Sequence, residues 1–167
     1  ARRRGARLLC LPGSHAKWLA VADGVVVQFA TAMTGELYAL LGEHSILRAV
    51  DPKAAAHDPA AFLLGIDTAG NGSAFATRLF GVRSRVLAGQ LAPESAPAYL
   101  SGLLIGAEVN ALWPMMRAEA DRVELIGAAG LTGLYATAML RLRIPHQVWD
   151  GEAAALCGLK TLWKLAA

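Results

Sequence analysis

The sequence predicts an α/β fold in which one mixed five-stranded sheet is covered by helices on both faces. Three short apolar runs separated by tight-turn signals occupy residues 7–29, a spacing typical of an antiparallel meander. Two further apolar runs, at residues 122–126 and 146–149, flank a stretch with helical periodicity, which is typical of strands joined by a crossover helix. With 167 residues, the chain has the length of one ordinary domain or of one lobe of a larger protein.

The first three strands are predicted at residues 7–11, 17–21 and 25–29. Pro12 and Gly13 interrupt the first apolar run and indicate a turn. Asp23-Gly24 is a strong signal for a two-residue hairpin, because both central positions of that turn favour positive φ. The β-branched residues that follow support the third strand.

Four helices are predicted in the middle of the chain, at residues 34–48, 59–64, 75–87 and 95–112. Thr34 can cap the first helix, and Glu36 places a negative charge in its first turn, where the helix dipole favours it. Pro59 suits the first position of the second helix. The fourth helix is apolar nearly all round, and we expect it to be central and buried. For its polar residues Glu108 and Asn110, contact with a site and local polar contacts both remain open.

The carboxyl-terminal part continues with a strand at 122–126, a helix ending near 142, a strand at 146–149 and a last helix after Asp150-Gly151. Apolar residues recur along the last helix and form a stripe of Leu156, Leu159 and Trp163. The order of elements is that of the ribonuclease-H-like arrangement. We expect residues 7–167 to form one lobe.

The charge is concentrated at the amino terminus. The formal net charge is +3, and arginines at positions 2, 3, 4 and 7 supply much of it. We expect residues 1–6 to be a disordered, solvated basic end, with neither nucleic acid nor a membrane as partner. No apolar run approaches the roughly 18 residues that a spanning helix needs. Cys10 and Cys157 lie in apolar surroundings without metal-ligand spacing, so we expect buried thiols and a cytoplasmic location.

The turn after the first strand is a candidate anion-binding site. It contains Gly13, Ser14, His15 and Lys17. Glycine lets the backbone approach a ligand closely, and exposed N–H groups together with the Lys17 ammonium can meet negative charge. The residue types alone leave a second interpretation open, an ordinary hairpin turn whose polar residues face water.

The junction from Gly127 to Gly133 is a second candidate, because a buried strand there enters a glycine-rich turn and then a helix. Such a junction can bind adenosine or phosphate through free N–H groups. Close helix–strand packing is one alternative, and a dinucleotide site with Asp150 on the ribose is another, although the spacing G-x-x-G-x-x-G departs from the usual G-x-G-x-x-G. No P-loop, nucleophile elbow or zinc-binding helix is present, and we predict no metal site.

Four stretches carry a family resemblance: LPGSHAKW at 11–18, FATAMTGELYALL at 29–41, YLSGLLIGAE at 99–108 and DGEAAALCGL at 150–159. They resemble the 2-dehydro-3-deoxygalactonokinase family. The resemblance implies a kinase that uses ATP, with Mg²⁺ assisting, to phosphorylate the terminal hydroxyl of 2-dehydro-3-deoxy-D-galactonate during galactonate breakdown. It also implies one lobe of the actin-like ATPase fold, in which ATP lies between two ribonuclease-H-like lobes.

The resemblance also implies roles for named residues. It assigns phosphate binding to Gly13, Ser14, His15 and Lys17. It assigns adenosine binding to Gly127, Ala128 and Gly130, and contact with the sugar acid to Thr34, Gly35 and Glu36. No general base is identified. The family usually has Thr and Ser where this chain has Ser14 and Ala16, so one hydroxyl of the turn is missing.

Nothing like the family's first lobe, with its acidic phosphate hairpin, precedes Arg7. We therefore expect the chain to be the C-terminal, nucleotide-binding lobe, inactive alone, with the missing N-terminal lobe as its partner. The alternative is a non-catalytic association module or truncated kinase fragment that dimerises through the surface that would face the other lobe. The formation of homo-oligomers is left open.

Overall fold

A computed structural model describes residues 5–48, 58–70, 72, 74–117 and 120–166, and it shows an α/β fold with one mixed sheet. The strands are β1 (Arg7–Leu11), β2 (Ala16–Ala22), β3 (Val25–Ala32), β4 (Val123–Gly127) and β5 (His146–Asp150). The helices are α1 (Thr34–His44), α2 (Pro59–Ala69), α3 (Phe75–Leu87), α4 (Ala96–Met116), α5 (Ala129–Arg141) and α6 (Gly151–Ala166), with one 3₁₀ turn at Pro93–Ser95. Of the predicted disordered end, residues 1–4 lie outside the described residues.

The five strands lie in the order β3-β2-β1-β4-β5, which confirms the predicted mixed sheet. β2 pairs antiparallel with β1 and β3, whereas β4 pairs parallel with β1 and β5. The predicted hairpin is also confirmed, since Asp23 and Gly24 have φ values of 51° and 79°. Because β1, β4 and β5 are parallel, their carboxyl ends lie at the same edge of the sheet.

Burial alternates along the two strands nearest the amino terminus, as the period of a strand requires. Leu8 and Cys10 of β1 and Trp18 of β2 are fully buried on one face. The predicted burial of Cys10 is therefore confirmed. On the edge strand β3, by contrast, residues 25–29 are all exposed.

Helix α6 is exposed along most of its length. It packs against β4 and β5, but every residue from 155 to 165 is exposed. The predicted apolar stripe lies in this part, and Leu156, Leu159 and Trp163 are 57%, 63% and 78% exposed. The predicted burial of Cys157 is wrong, because this residue lies in the exposed part of α6.

The chain divides into two compact units. The first comprises residues 1–32 and 114–167, with the sheet, α5 and α6. The second comprises residues 33–113, with α1, α2, α3 and most of α4. Within the described ranges, none of the helices combines the length and the apolar character that crossing a bilayer requires.

In the second unit, α2 and α4 cross at glycines. A Cβ at Gly65 would lie 2.2 Å from the carbonyl oxygen of Tyr99, and one at Gly102 would lie 2.0 Å from that of Phe62. Real Cβ atoms do not approach backbone so closely, so only glycine allows this crossing. Leu103, next to the crossing, is fully buried, and the predicted central position of this helix is confirmed.

Both ends of α1 differ from the prediction. The helix ends at His44, short of residue 48, because Ser45 is its C-cap and donates its hydroxyl proton to the Leu41 carbonyl at 2.6 Å. The predicted cap is also wrong, since Met33 occupies the N-cap position and Thr34 is the first helical residue. No side chain caps this helix from the N-cap position.

Helix α2 begins as predicted and continues further than predicted. Pro59 is its first residue, and Asp58 caps it by accepting a hydrogen bond from the Ala61 amide at 2.9 Å. The helix runs on to Ala69, past the predicted end at residue 64. Gly65 does not end it, because this glycine lies at the crossing with α4.

Candidate functional site

The two glycine-containing motifs lie side by side at one edge of the sheet in the first unit. β1 and β4 are parallel neighbours, so the turn after β1 and the junction after β4 leave the sheet at the same edge. A Cβ added to Gly127 would lie 3.9 Å from both the Cδ and the carbonyl oxygen of Pro12. In open α/β sheets, ligands bind outside the carboxyl ends of the strands. This edge is therefore the candidate ligand site of the first unit.

The turn after β1 presents polar groups to solvent. Ser14 and His15 are exposed, and a Cβ at Gly13 would meet no heavy atom within 4 Å. The Lys17 ammonium donates to the carbonyl oxygen of His15 at 3.0 Å, which folds its side chain over the turn. Ala16 is fully buried, so its side chain faces the interior and not the turn.

The start of α5 is free of side-chain capping. Ala128 occupies its N-cap position and has no side-chain acceptor to offer the first amide groups. Thr132, one turn later, donates its hydroxyl proton back to the carbonyl oxygen of Ala128 at 3.1 Å. The positive end of the α5 dipole therefore faces the edge of the sheet, and neither its N-cap nor its first turn has an acidic side chain.

The neighbouring start of α6 differs, because a carboxylate of the protein caps it. The Asp150 carboxylate accepts a hydrogen bond from the Ala153 amide at 2.8 Å. Asp150, the residue considered for a ribose contact, is thus engaged as a cap. Of the starts of α5 and α6, that of α5 is the one without a capping carboxylate.

The glycines of the junction fall into two classes. A Cβ at Gly151 would lie 2.9 Å from the Cα of Gly127, so the ends of β4 and β5 need glycine for close packing. Cβ atoms at Gly130 and Gly133 would meet no heavy atom within 4 Å. Close packing therefore involves the backbone of Gly127, against which Gly151 has no room for a Cβ, whereas Gly130 and Gly133 face open space; ligand binding at this junction stays a prediction.

The candidate sugar-acid residues lie in the second unit, at the start of α1. Thr34 is buried, and its hydroxyl donates to the carboxylate of Glu108 on α4. Gly35 and Glu36 are half-buried. Burial raises the pKa of Tyr38, on the same helix, above its ordinary value of 10.0.

The sequence prediction missed a cavity of about 760 Å³ on the sheet of the first unit. Most of its lining is apolar and includes Leu9, Val21, Ile126, Ala154 and Cys157. On its polar side, the Glu124 carboxylate accepts hydrogen bonds from the Arg122 guanidinium, at 2.9 Å, and from the Trp149 indole N–H. These residues come from five separate elements, so no local spacing marks them.

A candidate metal centre was not found where the structure describes the chain. Among those residues, no three His, Cys, Asp or Glu side chains are grouped closely enough to hold a metal ion.

The comparisons with known proteins agree on one family. A sequence model of the 2-keto-3-deoxy-galactonokinase family matches residues 1–162. The "Probable 2-dehydro-3-deoxygalactonokinase" of Rhizobium meliloti (strain 1021) is 35% identical over an alignment of 168 positions. The alignment covers 96% of this chain and 55% of the relative. The 2-dehydro-3-deoxygalactonokinase of Escherichia coli (strain K12) is 33% identical over 156 residues, which cover 93% of this chain and 52% of the relative.

A solved structure is similar over the same part. It is described as a "putative 2-dehydro-3-deoxygalactonokinase protein from Sinorhizobium meliloti", and it matches with a TM-score of 0.84 at 36% identity. The match covers 94% of this chain and 53% of that chain. The chain thus spans about half the length of the relatives it matches.

Proposed function

Because this chain belongs to the 2-keto-3-deoxy-galactonokinase family, we propose that it forms the nucleotide-binding part of a sugar-acid kinase. The reaction is transfer of the γ-phosphoryl group of ATP to the 6-hydroxyl of 2-dehydro-3-deoxy-D-galactonate. One observation carries the proposal: the turn at residues 13–17 lies beside the uncapped start of α5 at the carboxyl edge of the sheet. The family resemblance noted in the sequence is confirmed.

The phosphate groups of ATP are proposed to bind at the turn. The Lys17 ammonium has three donors and gives one to His15, so two remain for phosphate oxygens. Ser14 and His15 are exposed on the same turn, and the backbone of Gly13 is open to a ligand. Fixed positive groups of this kind stabilise the charge that spreads over the oxygens of a transferring phosphoryl group.

The adenosine is proposed to bind at Gly127, Ala128 and Gly130. The open space beside Gly130 lets a ligand approach the backbone, and the amide groups at the start of α5, which no side chain caps, can donate hydrogen bonds to it. ATP supplies the phosphoryl group, and this edge of the sheet holds and orients it.

The sugar acid is proposed to meet the start of α1, where Gly35 and Glu36 are half-buried. We assign no general base. No residue is assigned to the Mg²⁺ ion that would accompany ATP, and no step is assigned to it.

We further propose that the chain is one ribonuclease-H-like lobe of an actin-like ATPase fold, acting in the cytoplasm with a second lobe. The mixed sheet and the similarity to a solved structure with a TM-score of 0.84 support this assignment. The relatives are almost twice as long as the matched region, which leaves room in them for such a lobe.

A calorimetric titration with MgATP tests the nucleotide site. We expect the chain to bind MgATP, and we expect Lys17→Ala to weaken binding by roughly tenfold or more, since a charge-assisted hydrogen bond is lost. Lys160→Ala is the matched control, because Lys160 is an exposed lysine on α6 and should leave the affinity unchanged. Absence of binding heat from the wild-type chain at several temperatures would contradict the proposal.

A coupled assay of ADP release with the keto sugar acid tests the division into lobes. Phosphoryl transfer needs ATP held from both sides with water excluded, so we expect this chain alone to stay at background. Turnover well above background would show that a second lobe is not required.

The exposed apolar residues of α6 favour a second candidate function, that of an association module. Leu159 and Trp163 are more than half exposed on a 16-residue helix, and large exposed apolar patches usually bind a partner. Light scattering after size-exclusion chromatography tests this candidate. A dimer that Leu159→Lys converts to a monomer would support it, and a monomeric wild-type chain would reject self-association.

A further inference from the structure

Glu108 is a buried carboxylate in an otherwise uncharged helix. It is the only charged residue between Ala96 and Met116, and only 7% of it is exposed. The neighbouring Val109 is fully buried and apolar. Removing a carboxylate from water costs several kcal/mol unless hydrogen bonds satisfy it. The position of Glu108 therefore calls for a specific polar partner.

That partner is the first residue of another helix. The Thr34 hydroxyl donates to the Glu108 carboxylate, and the two residues are 74 positions apart in the chain. Met33, the N-cap of α1, contributes no capping side chain. A carboxylate brought from α4 thus lies at the positive end of α1, where a negative charge is favourable. The hydrogen bond ties the first turn of α1 to the buried helix α4.

Thr34 is turned away from solvent, and its two neighbours are not. Thr34 is buried, whereas Gly35 and Glu36 are half-buried. The hydroxyl proton of Thr34 is already given to Glu108, so this side chain serves to fix the turn and not to donate to a ligand. Groups on the exposed side of the same turn are left to contact the sugar acid.

We infer that Glu108 is a positioning residue for the sugar-acid site, which holds Gly35 and Glu36 in place through its hydrogen bond with Thr34. The inference rests on the proposed function, in which the start of α1 meets the sugar acid. It extends that function by assigning a role to a residue three helices further along the chain that does not itself contact substrate. If Glu108 had a purely structural role, any other destabilising change in the second unit would weaken sugar-acid binding to the same extent.

Titrations of the chain with the keto sugar acid and, separately, with MgATP test the inference. Thr34→Val and Glu108→Ala remove the hydrogen bond, and each should weaken sugar-acid binding by about tenfold while MgATP affinity stays within twofold. The double variant should be no weaker than Glu108→Ala alone, since that change already removes the hydrogen bond with Thr34. Thr34→Ser keeps the hydroxyl and Glu108→Gln keeps an acceptor oxygen, so both should stay near wild type.

Leu100→Ala is the matched control for general loss of stability, because Leu100 is a buried residue of the same helix. Equal loss of sugar-acid binding in this variant would show a merely structural role and overturn the inference. Wild-type affinity in Thr34→Val and Glu108→Ala would overturn it and leave the proposed function intact. A wild-type chain that binds MgATP but not the sugar acid would overturn the proposed sugar-acid site, and the inference with it.

Discussion

Replacing Gly130 with alanine tests whether the open side of the α5 start is a ligand surface. Gly130 is the second residue of α5, and an added methyl group would meet no heavy atom within 4 Å. The substitution therefore creates no clash with the described protein. It places a methyl group where the adenosine of a bound nucleotide is proposed to lie.

The expected effects on stability and on binding have opposite signs. Alanine is more favourable than glycine within a helix by up to about 1 kcal/mol. For a chain of 167 residues this corresponds to a rise in Tm of up to about 4 °C. The affinity for MgATP should instead fall by roughly tenfold or more, a loss of at least about 1.4 kcal/mol, because the nucleotide must withdraw from the backbone.

Calorimetric titration and thermal unfolding followed by circular dichroism measure the two effects. Gly133→Ala is the matched control, because Gly133 also lies on α5 and also faces open space. That variant should gain stability and keep wild-type affinity. Equal MgATP affinities for Gly130→Ala and Gly133→Ala would refute the adenosine assignment. A marked fall in the Tm of Gly130→Ala would refute the open space beside it.

Three further predictions concern packing and titration. Gly151→Ala should lower the free energy of unfolding in urea by roughly 1–3 kcal/mol, because its Cβ would lie 2.9 Å from the Cα of Gly127; an unchanged denaturation midpoint would contradict this. Gly102→Ala should cost about 3 kcal/mol or more, since its Cβ would lie 2.0 Å from the carbonyl oxygen of Phe62, and a wild-type Tm would rule out the close helix crossing. Burial raises the pKa of Tyr38 above 10.0, so the unfolded chain loses the Tyr38 proton at a lower pH than the folded chain does. The free energy of unfolding therefore falls as pH rises from about 10 to the pKa of the folded state. Tyr38→Phe should therefore lose less unfolding free energy than wild type between about pH 9 and 12, and superimposable pH profiles would argue against the burial effect.

The sheet and most helix positions could be predicted because their signals are local. Asp23-Gly24 specifies a hairpin by its own preference for positive φ, and Pro59 suits a helix start whatever packs on it. The parallel arrangement of β4 and β5 follows in the same way, since one crossover helix separates two short apolar runs.

The features that escaped prediction depend on residues far apart in the chain. Threonine is a favoured N-cap residue, but the Thr34 hydroxyl donates its hydrogen bond to the carboxylate of Glu108, 74 positions away in the chain. Cys157 lies in an apolar helix, and the burial of such a helix depends on the elements that pack against it. The spacing of the junction glycines likewise could not separate Gly127 from Gly130, because the difference arises where α6 begins.

The unequal surroundings of the glycines have a consequence for how this sequence tolerates variation. Every other encoded residue adds at least a Cβ, so at Gly65, Gly102 and Gly151 each substitution brings an atom within 3 Å of backbone. At Gly13 and Gly130 the same change meets open space. In a saturation library sorted for folded abundance, substitutions at Gly65, Gly102 and Gly151 should be depleted, and substitutions at Gly13 and Gly130 should be retained. A second sort of the same library for nucleotide binding would then identify glycines that are kept for a ligand.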